Sequence, residues 1–267
     1  MILRKQWRDR YLKQLEQLEP LSAEDLTASA IVFSPHQDDE TLGCGGTIIK
    51  KREAGAEVKI VFMTDGSQSH HRFMSESELI ALRQTEAIKA AETLKVASED
   101  VIFFDFRDGE LSDYITEAID KTKELLKSAR PQQVFIPYIR ETHPDHLATN
   151  QIVLAALKDY TPVAVYEYPV WYWHHFPWTT TGKSDSRKAY LKASIKAKLG
   201  WQLIQEFNYR VAIESVKSKK QLALAQHQTQ TKRLVDDPNW GTLQDVSDGE
   251  WVECFFQNQE IFRRTII

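Results

Sequence analysis

The 267-residue chain is 42% hydrophobic and 27% charged, an ordinary composition for a soluble globular protein and long enough for one large domain. Its formal net charge of −4, from 34 basic and 38 acidic residues, argues against a general nucleic-acid binder, and no apolar run approaches the roughly 18 residues of a membrane span. Two distant cysteines, Cys44 and Cys254, exclude a disulfide framework and fit a reducing, cytoplasmic setting, and the N-terminal stretch has no apolar signal core.

The chain opens on a charged segment with apolar residues at Trp7, Tyr11, Leu15 and Leu18. That spacing predicts an amphipathic helix packed on its own domain, with peripheral membrane contact as the secondary reading. Strands are predicted at 28–34, 57–66, 101–106, 132–138 and 163–168, each a continuous apolar run. Between them lie helical patterns at 45–55, 75–96, 113–130 and 145–160. Such alternation predicts a doubly wound, Rossmann-like and mostly parallel sheet, with the predicted strands ordered 3-2-1-4-5. In that order the first and fourth strands are neighbours, and their carboxyl ends flank the crevice where ligands bind.

The aromatic and then polar stretch 171–186 reads as a long loop whose "WYWHHFPW" either covers a sugar, buries in the core or meets another subunit. Helices are expected near 187–206 and 215–235, and one or two strands close the chain. We read one domain over 1–267, with a Rossmann-like core at 28–168 and a C-terminal α/β elaboration at 169–267.

The chemistry concentrates in "SPHQDDETLGCGG", residues 34–46. His36, Asp38, Asp39 and Glu40 crowd together directly after the first core strand, and mutual repulsion makes such a cluster costly unless a cation sits among its members. "HPDH" at 143–146 follows the fourth strand, so the expected sheet order carries both motifs to one crevice. Imidazole and carboxylate donors without a thiolate pair suit zinc, or iron(II) as the second choice. Adjacent Asp38 and Asp39 then divide into one ligand and one general base.

These motifs give the chain a specific resemblance. "SPHQDDETLGCGGT" and "HPDH", with "TDG" at 64–66, "RQTE" at 83–86, "RDGEL" at 107–111, "LALAQHQTQ" at 222–230 and the closing "WVECFFQNQEIFRR", resemble the PIG-L/LmbE-like family of metal-dependent N-acetylglucosaminyl deacetylases in family order. The resemblance implies that His36, Asp39 and His146 bind Zn2+ (or Fe2+). It implies Asp38 as the base that activates water. His143 would polarise the carbonyl or hold the oxyanion, as imidazolium in one version, and Asp145 would orient one of the histidines. Arg83 and Asp108 would face the sugar or its aglycone. Arg83 reads equally as an i,i+3 partner of Glu86, and Asp108-Gly109 as a turn.

The expected activity is removal of an N-acetyl group from an N-acetylglucosamine-type conjugate through a metal-activated water. The rivals are hydrolysis of another amide or carbamoyl group, or a non-catalytic metal-containing sugar-binding protein. The implied partner is an N-acetylated amino-sugar conjugate, and a homo-oligomer is compatible with the sequence.

Two departures stand out. Gln37 replaces the family's usual proline, its side chain expected to point away from the metal. Glu141 stands where some members carry tyrosine. Cys44 reads as a small buried residue rather than a ligand. His70-His71 and His174-His175 read as solvated loop histidines. His227 is either near the site or a satisfied helix histidine.

Overall fold

The computed structural model describes residues 2–158, 160, 162–182 and 186–267. Asp159, at the end of the predicted 145–160 helix, and residues 183–185 of the predicted 171–186 loop lie outside the described residues. In chain order the elements are α1 (Ile2–Leu15), β1 (Glu19–Pro20), α2 (Ala23–Thr27), β2 (Ala30–Ser34), α3 (Asp39–Glu53), β3 (Val58–Thr64), α4 (Glu76–Thr93) and β4 (Val101–Phe106). There follow α5 (Ile115–Ala129), β5 (Gln133–Pro137), α6 (Pro144–Ala156), β6 (Ala164–Tyr168), α7 (Arg187–Lys196) and α8 (Trp201–Glu206). The chain closes with β7 (Tyr209–Ala212), α9 (Lys217–Leu224), α10 (Gln228–Thr231), α11 (Glu250–Glu253) and β8 (Gln259–Ile266).

One sheet runs β1-β7-β8-β6-β5-β2-β3-β4. Its β4-β3-β2-β5-β6 half is parallel and has the expected 3-2-1-4-5 order. The C-terminal part extends this sheet: β8 pairs antiparallel with both β6 and β7. Successive strand residues alternate between two cores, as a pleated strand buried on both faces requires. Val32, Ile60, Phe62, Phe135 and Tyr166 enter one core. Ile31, Phe33, Val61, Met63, Val134 and Val165 enter the other. Among the described residues no helix is long and apolar enough to cross a membrane.

Several boundaries differ from the sequence expectation. Helix α3 starts at Asp39 rather than at residue 45, so the acidic motif forms the helix's first turn. Its glycines serve close packing: a Cβ on Gly43 would lie 2.2 Å from the Tyr168 ring, and one on Gly46 2.4 Å from Ile213. The predicted 187–206 helix breaks where Leu199 and Gly200 take positive φ. The predicted 215–235 helix ends at Leu224, before a short turn of helix at Gln228–Thr231. The short strands β1 and β7 carry no sequence signal of their own.

Helix α1 packs as expected, with Tyr11 and Leu15 buried. The aromatic stretch mostly joins the core. Trp173 and Trp178 are buried, Tyr11 lies 5.9 Å from Trp178 between ring centroids, and Trp7 lies 5.6 Å from Phe176.

A buried ion pair ties α3 to the C-terminal extension. Lys220 Nζ donates to Glu260 Oε1 at 2.7 Å and to the carbonyls of Leu42 and Phe255 at 2.7 and 2.8 Å. Glu260 in turn accepts from the backbone N–H of Gly46 and Thr47, at 2.8 and 2.7 Å, and from the Thr47 hydroxyl. Replacing Lys220 by Met leaves a buried carboxylate without its cation, and we expect a loss of about 3–5 kcal/mol in urea unfolding. A loss below about 1 kcal/mol would mean that the backbone donors alone satisfy Glu260.

Candidate metal centre

Strands β2 and β5 are hydrogen-bonded neighbours, so the loops leaving their carboxyl ends meet. The first loop is short and tightly held. Ser34 Oγ donates to the His36 carbonyl at 2.7 Å and accepts from Glu40 N–H at 3.0 Å, and Asp38 N–H donates to Glu40 Oε2 at 3.0 Å. Asp38 itself sits at φ 142°, a conformation that costs a non-glycine residue about 1–3 kcal/mol and is found where a surrounding structure enforces it. In the second loop, His143 precedes α6 with Pro144 at the first helical position, and its Nδ1 accepts from Asp145 N–H at 3.3 Å.

The two loops place their donors together. Asp39 Oδ2 lies 3.2 Å from His36 Nδ1 and 3.1 Å from His146 Nε2. The Asp39–His146 geometry is not that of a hydrogen bond, and both ring nitrogens of buried His146 lack a hydrogen-bond partner. The His36–Asp39 contact is a hydrogen bond, and the spacing of all three donor atoms is also one that an ion could share, since bonds of about 2.0–2.1 Å in a tetrahedron set ligands about 3.3 Å apart. The donor atoms of His36, His143 and His146 lie within 4.8 Å of one another, as do those of His36, Asp108 and Asp145.

The second of these groups is already satisfied. Asp145 accepts from the N–H of Gly109 and Leu111 at 2.8 and 3.2 Å, and Asp108 accepts from Gln68 N–H at 3.0 Å. Both carboxylates face His36 Nε2, at 3.1 Å for Asp145 and 3.2 Å for Asp108. That contact favours a proton on Nε2, and Nδ1 faces Asp39 Oδ2 within hydrogen-bonding distance. Glu141 stands behind His146 in the same way, its Oε2 3.5 Å from Nδ1. A carboxylate behind an imidazole is the pattern that orients metal-ligating histidines; Asp145 stands so behind His36, and Glu141 behind His146 at the longer distance, while the nitrogen without a partner on the Asp39 side is that of His146. The donor set of His36, Asp39 and His146 therefore fits a divalent ion.

The charges around the donors shift one another strongly. Burial opposes charge on His36, but Asp108, Asp145 and Asp39 outweigh it and hold its pKa well above the ordinary value. Burial would raise Asp39, yet His146 and His36 hold it well below the usual carboxylate range. Asp38 is pushed up to about 7 by burial and by the charge of Asp39, against the pull of Arg83 and His227. Burial and its two histidine neighbours hold the His143 pKa down at about 4.

These groups line an open pocket of about 260 Å³. Its other wall is apolar, with Leu42, Leu243, Trp171 and Trp251, the two indoles stacked at 4.6 Å. A larger cavity of about 770 Å³ lies near Arg130 and Tyr160 and carries no such convergence of donors. All eight residues singled out from sequence meet at or beside the smaller pocket.

Arg83 does not pair with Glu86. It donates to the carbonyls of Gln37 and Gly66 at 2.8 and 3.2 Å, whereas Glu86 accepts from Thr229. Gln37 turns away from the donors and donates to the Thr64 carbonyl at 2.8 Å. His227 is buried with its Nε2 3.0 Å from Glu40 Oε1, and Cys44 is buried in the core.

His70 and His175 are buried rather than solvated. His70 stacks on Trp240 at 4.1 Å and contacts the Gly241 carbonyl, and His175 contacts the Tyr172 carbonyl. The position of Glu141 behind His146, and of Trp251 across from the metal motif, were not foreseen. For Glu141 the signal was an acidic residue two positions before His143; for Trp251 there was none.

Residues 31–157 match a family model described as GlcNAc-PI de-N-acetylase. A diacetylchitobiose deacetylase of Thermococcus kodakarensis is 34% identical over 122 residues, which are 43% of this chain and 44% of that protein. The match thus spans less than half of that relative. The N,N'-diacetylchitobiose deacetylase of Pyrococcus horikoshii has a similar fold, with a TM-score of 0.62 at 22% identity over 98% of this chain and 92% of that one. GalB, the 4-carboxy-2-hydroxymuconate hydratase of Pseudomonas putida KT2440, reaches 0.56 at 16% identity over 90% of this chain and 96% of its own. Similar folds thus accompany named activities of different kinds, and the reaction has to be argued from the site.

Calorimetric titration of apo protein with Zn2+ should show near-stoichiometric binding that His146→Ala abolishes and Glu141→Gln weakens about 10–100-fold. Unchanged affinity in Glu141→Gln would mean that this carboxylate serves only the backbone N–H groups of Val170, Trp171 and Tyr172 that it also accepts from.

Proposed function

Residues 31–157 are a PIG-L family domain, and we propose that this protein removes the N-acetyl group from an N-acetylglucosamine-type sugar conjugate with a divalent metal, zinc before iron(II), held by His36, Asp39 and His146. The observation that carries the reading is the bare nitrogen of His146 beside Asp39, with the uncommitted carboxylate of Asp38 in the same pocket. When bound, the ion is a Lewis acid that acidifies water and polarises an amide carbonyl.

The chain's own residues supply the rest. Asp38, whose carboxylate lies in the pocket beside Asp39 and whose pKa burial and Asp39 raise, is placed to take a proton from the attacking water. His143 receives a backbone N–H at Nδ1, so its neutral ring carries the proton on Nε2. That N–H is the donor for the oxygen on which negative charge develops. Asp145 holds His36 through Nε2 and so turns Nδ1 toward Asp39. The C–N bond breaks as the protonated Asp38 returns its proton to the departing amine.

Arg83 is occupied by the carbonyls of Gln37 and Gly66, which makes it a support of the Asp38 loop as much as a substrate contact. Asp108 stays at the pocket wall beside His36 and is the better candidate to meet a sugar hydroxyl. The Trp171–Trp251 wall suits the apolar face of a pyranose ring.

Asp38→Asn should keep its metal by elemental analysis and lose acetate release from N,N'-diacetylchitobiose and related conjugates by about 10²–10⁴-fold. Wild-type protein that holds metal but releases no acetate from any such conjugate would redirect the site to a different amide or to binding without turnover. Full activity in Asp38→Asn would remove Asp38 as the base.

A further inference from the structure

Helix α7 is attached in an unusual manner. Its inner face is held by polar groups: the Tyr190 hydroxyl donates to the Thr179 carbonyl at 2.5 Å, and Ser194 Oγ accepts from Phe176 N–H at 3.0 Å. Its apolar residues point outward. Leu191 is 60% exposed and Ile195 66%, and in the turn that follows Leu199 is 40% and Trp201 41% exposed. An ordinary surface helix buries such a stripe against its domain.

The same segment, Arg187 to Trp201, carries Arg187, Lys188, Lys192, Lys196 and Lys198 and no acidic residue. Lys188, Lys192 and Lys196 recur at four-residue spacing and form a cationic stripe next to Leu191 and Ile195. Helix α1 adds to this surface. It packs on α8, Tyr11 lies 6.2 Å from Trp201, and Trp7 and Leu3 are exposed. The chain as a whole is acidic, so this local excess is not a reflection of composition.

We propose that the face formed by α7 and the turn into α8, with the exposed end of α1 beside it, docks on the surface of an anionic lipid bilayer. Exposed aliphatic and indole groups enter the boundary between headgroups and acyl chains, and the flanking lysines meet lipid phosphates or carboxylates. Charge complementarity selects this occupant. A second copy of the chain docked through the same face by a two-fold axis would set five cations against five. The face borders the metal pocket: Ala193 and Lys196 line a crevice with Thr142 and Trp171, and Trp171 is also a wall of the pocket. The inference concerns attachment and does not depend on which bond is cleaved.

Co-sedimentation with vesicles tests it. Full-length protein should bind vesicles of phosphatidylcholine mixed with phosphatidylglycerol about tenfold more tightly than phosphatidylcholine alone, and the difference should fade at high salt. Leu191→Ser with Ile195→Ser, and separately Lys188→Glu with Lys192→Glu and Lys196→Glu, should each reduce that binding about tenfold with unchanged thermal unfolding. Equal affinity for neutral and anionic vesicles, or retained binding in both variants, would overturn the proposal. So would a wild-type dimer in sedimentation that the Leu191→Ser/Ile195→Ser variant converts to monomer, since the face would then be a self-contact.

Discussion

Buried negative charge is the constraint on which the rest of this structure depends. Asp38, Asp39, Glu40, Asp108, Glu141 and Asp145 are all buried around the carboxyl ends of β2 and β5. Each needs compensation, since an unpaired buried carboxylate costs several kcal/mol. Glu40 has His227, Glu141 has three backbone N–H groups, and Asp145 has two together with His36. Asp39 faces imidazole nitrogens, one of which has no hydrogen-bond partner, and Asp38 is left in the pocket with a pKa near neutrality. The site is thus the place where compensation by protein groups is least complete, and the proposed divalent cation would complete it.

The scaffold makes that concentration of charge tolerable. Parallel pairing of β2 with β5 delivers the two loops to the same edge, and the opposite strand residues alternate into two apolar cores that hold the edge rigid. On the far side of α3, the Lys220–Glu260 pair fixes the helix to the antiparallel extension of the sheet. Because α3 begins at Asp39, anything that anchors α3 also anchors the motif. The C-terminal part is therefore a structural support of the site as well as the source of Trp251 on its apolar wall.

Much of this was legible in the sequence for reasons that can be named. Strands covered on both faces read as apolar runs, and their alternation with helices leaves few topologies, so the 3-2-1-4-5 order followed from pattern alone. His36, Asp38, Asp39 and the His143–His146 group were visible because their elements are short and their spacing is local. The start of α3 was placed six residues late, at Gly45, because the charged motif before Gly43 does not continue the apolar helical pattern. The close approach of Tyr168 and Ile213, which makes glycine necessary at Gly43 and Gly46, comes from residues more than 100 positions away. The alternative pairing of Arg83 with Glu86 fails because helical spacing shows which residues share a face and not which distant backbone carbonyls that face meets.

What the sequence by itself determined was the donor chemistry, the chain order of the motifs and the sheet that joins them, because these depend on residue type and on periods of two to four residues. Only the tertiary structure decided that Glu141 stands behind His146 and that Asp108 and Asp145 share one nitrogen of His36, because each depends on the packing of separate segments. It also decided that α7 turns its leucine and isoleucine outward. A hydrophobic pattern states which residues share a face; which side of that face is already covered by hydrogen bonds to Thr179 and Phe176 is a property of the folded neighbours.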